Sequence, residues 1–356
     1  MKILFLPYNI ASIASFTVDG LNKVDGIEAK GIIISTHRFQ YQGDNIITLP
    51  VISTKKKPLQ WLVSKLRFEF EVIKWILWAD VIHYIWSPVY NNNRDIYLAY
   101  KLKKKIFVEF VGSDIRNPEI LTRINPYYVQ ASKSGYEYAQ IENAENSLKN
   151  QTRFSLYKAI PLLCPEMHIF LCKNLFTDAK ILYQRINVSG FHYSLPNTAE
   201  TRPLIVHSPS AKVAKGTYII RKVIEKLKND FDFEYRELHN ISRQDVLKVM
   251  EKADIFLDQI IVGGYGMASI EAMSFGKPVM CYIMCEVFDS GLSHDCPIIN
   301  TNPDNLELQL VRLISDGKLR HEIGIKSRAY VEKYHDADIV CKDLVNHYKS
   351  SYKLND

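Results

Sequence analysis

The residues with the clearest capacity for chemistry lie in one stretch, 263–279, which reads GGYGMASIEAMSFGKPV. Three glycines precede a run of helix-forming residues in which Glu271 is the only charged side chain. Glycine lets a backbone approach a ligand closely. The free N–H groups and the dipole of a helix start favour a negative charge. The stretch therefore predicts a phosphate site where the helix begins.

Glu271 lies about one turn into that helix, roughly 6–7 Å along its axis, and its side chain leans back toward the helix start. A diphosphate at the helix start would bring an attached ribose near this carboxylate, which can accept two hydroxyl hydrogen bonds. A sugar-bearing diphosphate thus accounts for Glu271. A solvent-facing glutamate on an amphipathic helix is the alternative.

A second stretch, 206–227, reads VHSPSAKVAKGTYIIRKVIEKL. It is predicted to run from a strand through a Ser/Pro loop into a helix that begins at Gly216 or Thr217. Lys212 and Lys215 fall on the loop, where two cations could neutralise a diphosphate leaving group. The alternative is a pair of ordinary surface lysines.

These residues need a scaffold, and the first half of the chain predicts a parallel sheet with helices on both faces. Helical stretches separate most of its apolar, strand-length runs. Residues 130–158 are a polar, helix-compatible excursion, and 174–186 is a predicted helix. The predicted strands are 2–7, 31–35, 45–50, 80–86, 105–112 and 166–172.

Residues 187–203 are rich in Gly, Pro, Ser, Thr and Asn and predict a linker. After it the alternation restarts, with strands at 204–208, 231–238, 254–258 and 278–283, helices at 217–228, 242–252 and 266–275, and three more helical patterns from about 303. The expected fold is α/β, with two doubly wound Rossmann-like domains facing a cleft. We expect domains at 1–190 and 191–335 and a C-terminal helix at 336–356, for which packing back on the first domain is one arrangement.

The stretch 263–279 resembles the donor-site signature of retaining GT-B glycosyltransferases, the family that includes sucrose synthases and bacterial mannosyltransferases. That signature reads roughly E-G-F-G-x-x-x-x-E-A-M-A-x-G-x-P-V, and six or more positions match in order. The likeness is strong from about 204 to 283 and weaker in the first half. It implies a nucleotide-sugar donor held by the second domain.

By this resemblance, Glu271 holds the donor ribose, and Gly266, Met267 and Ala268 cup the distal phosphate, with Gly264 and Tyr265 in the same loop. The family's first glutamate, which contacts the transferred sugar, is replaced here by Gly263. We therefore name two upstream residues as substitutes for that polar contact: Asp258 and Gln259.

The family typically has an arginine and then a lysine before glycine at the other phosphate contact. Lys215 and Gly216 match the second of these, and Lys212 stands closer to Lys215 than the arginine would. The resemblance implies catalytic roles for Lys212, Lys215 and Glu271. It also implies retention of the anomeric configuration, with the leaving phosphate accepting the acceptor's proton.

In the first half, the run VEFVGSDIR places Gly112, Ser113, Asp114 and Arg116 after a strand, as candidates for substrate binding. Related enzymes often have a histidine in this loop, where Val111 stands here. A helix N-cap by Ser113 or Asp114 is the alternative and is compatible with ligand contact. The first strand-to-helix turn, PYNIASIASF, has Ala11 and Ser12 where relatives often carry two glycines.

Composition bears on the number of domains, the redox compartment and the need for a metal or cofactor. The chain has 356 residues, and 47% of them are hydrophobic, which is ample for two packed domains. Its six cysteines include no Cys-x-x-Cys pair and no zinc-like spacing, which favours a reducing cytoplasm. No Asp-x-Asp carboxylate pair flanks the donor motif, so neither a metal nor a cofactor is implied.

The positive charge belongs to the first half: residues 1–195 carry 24 Lys and Arg against 16 Asp and Glu. Lys55, Lys56 and Lys57 precede a helical pattern with three tryptophans, which is compatible with peripheral contact with an anionic membrane. The tryptophans are Trp61, Trp75 and Trp78. A helix with its apolar face on the sheet explains the same pattern. A nucleic-acid surface is a weaker idea, because no recognition motif is evident.

We therefore expect a cytoplasmic glycosyltransferase (a hexosyltransferase) that serves cell-surface polysaccharide synthesis, with a location peripheral to the inner face of the membrane as one option. Its partners would be a nucleotide-sugar donor and a glycan or lipid-linked acceptor. Two other functions remain open: a nucleotide-sugar epimerase or hydrolase of the same fold, and a non-catalytic nucleotide-sugar-binding protein.

Overall fold

The computed structural model describes residues 1–34, 41, 43–50, 52 and 57–350. Within these residues the chain forms two parallel sheets, each flanked by helices. The predicted strand at 31–35 overlaps an observed strand that ends at Ile33. Ser35 lies outside the described residues. Lys55, Lys56 and residues 351–356 of the predicted last helix also lie outside the described residues.

The first sheet has seven parallel strands in the order β3-β2-β1-β4-β5-β6-β7. Its strands are nearly continuous apolar runs, as expected where helices cover both faces. The strands are β1 (Lys2–Leu6), β2 (Glu28–Ile33), β3 (Ile46–Thr48), β4 (Val81–Ile85), β5 (Lys105–Phe110), β6 (Ile160–Leu163) and β7 (Lys180–Ile181). The helices are α1 (Ile13–Leu21), α2 (Pro58–Trp78), α3 (Arg94–Lys101), α4 (Pro118–Ile124), α5 (Pro126–Ser132), α6 (Ala144–Ser155) and α7 (Pro165–His168).

The second sheet has five parallel strands in the order β12-β11-β10-β8-β9. The strands are β8 (Leu204–His207), β9 (Glu234–Glu237), β10 (Ile255–Leu257), β11 (Val279–Cys281) and β12 (Ile299–Asn300). The helices are α8 (Lys212–Lys215), α9 (Thr217–Leu227), α10 (Arg243–Glu251), α11 (Met267–Ser274), α12 (Cys285–Asp289), α13 (Leu306–Ser315), α14 (Gly317–Tyr334) and α15 (Ala337–Ser350).

Two predicted elements are wrong. The strand predicted at 166–172 is instead α7, because Pro165 occupies its first turn and has a fixed φ that suits a helix start. The true strand, β6, lies just before it and contains Pro161, a residue that strand patterns usually exclude. The helix predicted at 174–186 contains only the two-residue β7, which pairs with β6.

Helix α15 packs into the core of the first sheet. Val340, Cys341, Leu344 and Tyr348 belong to the same buried cluster as the residues of β1. Two backbone hydrogen bonds join the segment before α15 to the segment that leaves the first sheet. Ile186 N donates to His335 O at 2.9 Å, and Ala337 N donates to Ile186 O at 2.9 Å. The boundaries at 190 and 335 that the sequence suggests stay predictions.

A buried ion pair ties the first sheet to the segment that leaves it. Arg185 is fully buried and donates from Nη1 and Nη2 to the two carboxylate oxygens of Glu109 at 2.8 and 2.7 Å. Its Nε donates to Thr17 Oγ1 at 2.5 Å. Burial opposes the charge of Glu109, but Arg185 prevails and lowers the pKa of this carboxyl to about 2. One guanidinium thus joins β5 and α1 to the crossover segment.

Helix α2 has two apolar faces. Phe68, Val72 and Ile76 are buried against the sheet, as the domain-helix interpretation expects. Other large apolar side chains of the same helix, such as Leu66 and Phe70, are exposed. No helix among the described residues is both long enough and apolar enough to cross a bilayer.

The buried pair predicts an asymmetric response to mutation. Replacing Arg185 with Met should lower the free energy of unfolding by about 3–5 kcal/mol, because the buried Glu109 would lose its guanidinium partner and keep only the ring of His83, 3.2 Å away. Urea denaturation at pH 7 measures the change. The Glu109 contribution is present above its unfolded pKa of 4.5 and declines as the pH falls from there toward 2. The deficit of the variant should therefore shrink on acidification.

The matched control is Arg202→Met, which breaks an ion pair with Asp232 at 2.9 Å in which both side chains are exposed. That substitution should cost less than about 1 kcal/mol. Equal losses in the two variants would contradict the role given to the buried pair.

Candidate active site

The candidate site lies at the carboxyl ends of β8 and β10, the point of the second sheet where the strand order reverses. Ligands in doubly wound sheets bind in the crevice at such points. The chain leaves β8 toward α8, which carries Lys212 and Lys215, and leaves β10 through Asp258 and the glycine loop toward α11. The two predicted phosphate contacts therefore come from neighbouring strands.

The two lysines do not lie on an open loop as expected, because residues 212–215 form the single helical turn α8. Gly216 ends that turn in the left-handed region, at a φ of 78°, and α9 starts directly after it. Ile260 and Ile261 would crowd any Cβ at this position, the nearest atom at 2.5 Å. Glycine at 216 is thus required by backbone geometry.

Asp258 is the centre of this half of the site. It is buried, and its Oδ1 lies 2.5 Å from Lys215 Nζ, while its Oδ2 accepts from Ser269 Oγ at 2.6 Å. Burial disfavours the charge on Lys215, but Asp258 outweighs it and raises the pKa of the ammonium. Lys215 therefore remains a cation. Both oxygens of Asp258 are engaged, so its geometry favours holding α8 against α11 over contacting a sugar.

The start of α11 faces accessible space. A Cβ on Gly266 would meet no atom within 4 Å, and Met267 and Ala268 are partly exposed. No side chain among the described residues caps this helix. Its first-turn N–H groups point outward, next to Asp258 and Lys215. This arrangement is suited to a phosphate.

Glu271 is buried on the next turn of α11, and an arginine holds it. Arg243, the first residue of α10, donates from Nε and Nη2 to Glu271 Oε1 at 2.8 and 2.5 Å. No donor to the other oxygen, Oε2, is found among the described residues. Burial raises the pKa of Glu271, while Arg243 and Lys215 oppose this rise. One carboxylate oxygen thus remains for a ligand.

The glycine loop is built tightly where the family's first glutamate would stand. Gly263 has a φ of 86°, and a Cβ there would lie 2.5 Å from Met284 Cγ. Gln259 Nε2 donates to Gly264 O across the loop. A side chain at 263 would need a strained backbone and would collide with Met284, so glycine here is a structural requirement.

Tyr265 does not turn its side chain toward the cleft. Its hydroxyl lies 3.2 Å from Tyr330 OH and 3.0 Å from His335 Nε2. The pKa of His335 is lowered to about 4 by burial, so the ring is neutral at pH 7. Since His335 Nδ1 donates to Gln184 O at 2.6 Å, Nε2 accepts from Tyr265. Any ligand contact of Tyr265 would have to come from its backbone.

In the first half, the loop after β5 is engaged mainly with itself and its neighbours. Asp114 Oδ1 accepts from Gly112 N at 2.7 Å, and its carboxylate also accepts from Val111 N. Burial raises the pKa of Asp114 to about 7 against these bonds. Ser113 and Arg116 both donate to the buried Glu142. Gly112 has open space at its Cβ position.

Two further carboxylates between the halves had no signal in the sequence. Glu137 accepts from Val213 N at 2.8 Å and from Ala214 N at 3.0 Å, beside Lys212. Glu166, at the start of α7, packs its Cβ and Cγ against Gly264 of the glycine loop. Burial raises the pKa of Glu166 to about 7, with Arg116 opposing the rise.

The structure thus brings together Lys215, Asp258, Glu271 and the start of α11, and adds Arg243 and Ser269 to them. Lys212 lies one turn before Lys215 and is half-buried. The loop 112–116 lies on the first-sheet side, and Asn125 Nδ2, from the segment that follows it, reaches Ile261 O at 2.8 Å. Among the described residues, no group of three or more His, Cys, Asp or Glu could hold a metal ion.

Comparison with known proteins identifies a family model that matches part of the second half. Residues 219–330 match the family model described as "Glycosyl transferases group 1". The matched range contains Arg243, Asp258, the glycine loop and Glu271, and it begins just after Gly216. No curated protein sequence matches the chain.

Solved structures share the whole architecture at low sequence identity. Sucrose-phosphate synthase from Thermosynechococcus elongatus has 11% identity and a TM-score of 0.64, covering 99% of this chain and 100% of that one. Anabaena HepE in complex with UDP has 12% identity and a TM-score of 0.61, covering 98% and 100%. HepE is also known in complex with UDP-glucose. The lipopolysaccharide outer core galactosyltransferase WaaB has 13% identity and a TM-score of 0.57, covering 99% and 100%.

These matches confirm the predicted fold class, an α/β protein with two parallel sheets arranged as in GT-B glycosyltransferases. They also confirm the predicted enzyme class, a glycosyltransferase: the matched range contains α11 and Glu271, while Lys212 and Lys215 lie just before it.

Proposed function

We propose that this protein transfers a sugar from a nucleotide-diphosphate-sugar to a glycan or lipid-linked acceptor, with retention of configuration, in cell-surface polysaccharide synthesis. The observation that carries the proposal is the open start of α11 beside the Lys215–Asp258 pair and Glu271. UDP and UDP-glucose in the HepE structures support a donor of this class. The WaaB likeness supports the polysaccharide role.

The donor's diphosphate would lie against the first turn of α11. Backbone N–H groups of Gly266, Met267 and Ala268 would donate to its distal phosphate. Lys215, and Lys212 one turn earlier, would place positive charge beside it. Charge that develops on the leaving diphosphate would meet donors already fixed in place, which is the largest usual contribution to such catalysis.

Glu271 would bind the donor ribose through Oε2, while Arg243 holds Oε1 and so fixes the carboxylate's orientation. The bond from the sugar's anomeric carbon to the diphosphate breaks, and a bond to the acceptor oxygen forms. The acceptor's proton passes to the leaving phosphate. The retaining course and this proton transfer follow the family that the sequence resembles.

The acceptor would approach from the first half, where Glu166 packs against Gly264 of the glycine loop. Asp114, Arg116 and Glu166 supply polar groups on that side, and Gly112 leaves room for a ligand. The basic first half is proposed to make peripheral contact with an anionic membrane, at the inner face of the membrane where a lipid-linked acceptor would be found.

The loss of the family's first glutamate bears on the rival function, a protein that binds the nucleotide-sugar without catalysis. Here Gly263 is explained by backbone geometry, and Lys215, Glu271 and the helix start are all retained. The retained phosphate contacts favour transfer. An epimerase or hydrolase would consume the nucleotide-sugar with no acceptor present, which separates it from a transferase.

A thermal-shift screen against UDP-, GDP-, ADP- and dTDP-sugars should give one clear positive. Glu271→Ala should weaken binding of that donor by about tenfold to a hundredfold, because one charged hydrogen-bond partner of the ribose is lost. Glu225→Ala, which removes an exposed glutamate of α9 paired with Lys228, is the matched control and should bind like the parent. Unchanged donor binding in Glu271→Ala would remove Glu271 from the site.

Lys215 and Lys212 should behave differently on truncation. Lys215→Ala should destabilise the fold by about 3–5 kcal/mol, because Asp258 would remain buried without its cation. The double variant Lys215→Met with Asp258→Asn removes both charges and should recover stability but lose roughly a hundredfold or more in kcat. Lys212→Ala should fold like the parent with a smaller loss of kcat. Parent-like turnover in the double variant would show that Lys215 takes no part.

Two alanine substitutions in one loop should separate structure from binding. Gly263→Ala should cost about 2 kcal/mol or more, from the left-handed backbone and from contact with Met284. Gly266→Ala adds its methyl to open space, so it should change stability by less than about 1 kcal/mol. Gly266→Ala should nevertheless weaken donor binding, since the methyl occupies the proposed phosphate position. Urea denaturation and nucleotide titration of both variants test this.

A further inference from the structure

The outward face of α2 carries a continuous apolar stripe. Six large side chains follow one another at alternating spacings of four and three residues, and each is between 44% and 74% exposed. They are Leu59, Val63, Leu66, Phe70, Ile73 and Leu77. At 3.6 residues per turn they fall within an arc of about 80°, and the stripe is about 27 Å long.

This stripe is separate from the face that packs on the sheet. The inward residues Phe68, Val72 and Ile76 already bury the helix against the first sheet. The outward residues are exposed to solvent and therefore add little to the stability of the fold. Scattered exposed leucines are ordinary, but an aligned row along a whole helix marks a binding surface.

The charges around the stripe are mainly positive. Arg67 is exposed along one edge, next to Leu66. At the end of α2, Lys104 donates to Leu77 O at 3.1 Å and to Ala79 O at 2.5 Å, which brings the exposed Lys101 and Lys103 to that end.

The acidic side chains of the same helix are already engaged. Glu69 binds Arg94 and accepts from Tyr90 OH at 2.7 Å. Glu71 lies 3.1 Å from Lys74 and accepts from Trp75 Nε1 at 3.0 Å. These ion pairs offset the carboxylate charges and leave a cationic surround at Arg67, Lys101 and Lys103.

We propose that the stripe of α2 is a membrane-docking surface that lies in the interface of an anionic bilayer. An apolar face of this length bordered by lysine and arginine fits a surface where acyl chains lie beneath negative headgroups. A second copy of this chain would bring two cationic surrounds together, so charge favours the bilayer. The inference deepens the membrane contact proposed above by naming the surface that makes it, and it does not depend on the proposed sugar transfer.

Vesicle flotation tests the proposal. The full-length protein should float with vesicles that contain about 30 mol% phosphatidylglycerol in phosphatidylcholine and much less with phosphatidylcholine alone. The triple variant Leu66→Gln, Phe70→Gln, Leu77→Gln should lose about tenfold or more of its partitioning to the anionic vesicles. The control triple Leu148→Gln, Leu308→Gln, Ile325→Gln removes exposed apolar residues elsewhere and should float like the parent.

A charge variant adds a second, independent readout. Arg67→Gln with Lys101→Gln should weaken flotation at about 0.1 M salt, because the attraction to phosphatidylglycerol is electrostatic and screened. Lys318→Gln with Lys326→Gln, two exposed lysines of α14, should not change it. Thermal melts confirm that each variant is folded.

Three outcomes would overturn the proposal: a parent that does not float with anionic vesicles, a stripe triple that floats like the parent, or flotation lost equally in the control triple. A parent that sediments as a dimer, fails to float, and becomes a monomer in the stripe triple would assign the stripe to a second copy instead. Nucleotide binding measured without vesicles should be the same in all variants, so loss of flotation leaves the proposed donor site unaffected.

Discussion

The donor half of the cleft depends on one buried carboxylate. Asp258 ends β10 and binds Lys215 of α8 with one oxygen and Ser269 of α11 with the other. An isolated charge at this depth would be expensive, and the pair is tolerated because both oxygens have close partners. The position of a cation relative to a helix start is therefore set by a single side chain. This is the kind of fixed electrostatic arrangement that stabilises a leaving diphosphate without reorganisation.

Backbone geometry explains two departures of the chain from the pattern of the glycosyltransferases that its sequence resembles. At Gly263 the left-handed backbone and the nearby Met284 exclude the glutamate that relatives carry. The reverse occurs after β1, where Ala11 and Ser12 have φ values of 49° and 66°, the region that the glycines of relatives adopt at low cost. These two non-glycine residues accept backbone strain at this turn.

The sequence predicted the second half well because its signals are local. Each predicted strand and helix there contains the observed one, such as 217–228 for Thr217–Leu227 and 266–275 for Met267–Ser274. The motif around Glu271 is local too, and the helix that carries it begins where the sequence predicts. The sequence did not predict hydrogen-bonded pairs whose members are distant along the chain. Arg243 stands 28 residues from Glu271, and Glu137 stands 76 residues from Val213. Residue spacing carries no information on such pairs. The proline inside β6 and the proline at the start of α7 likewise shifted a strand by several residues.

The contact between the halves places two carboxylates near the proposed donor site. Glu137 of the first half accepts from backbone N–H groups of α8, next to Lys212, and Glu166 packs against the glycine loop. A donor diphosphate between Lys215 and the start of α11 would add negative charge close to both carboxylates. The halves could then stay this close only if the lysines offset that charge, or if Glu166, whose pKa burial raises to about 7, were protonated. Under the proposed donor site, closure of the cleft and binding of the donor would therefore be linked through the same few cations.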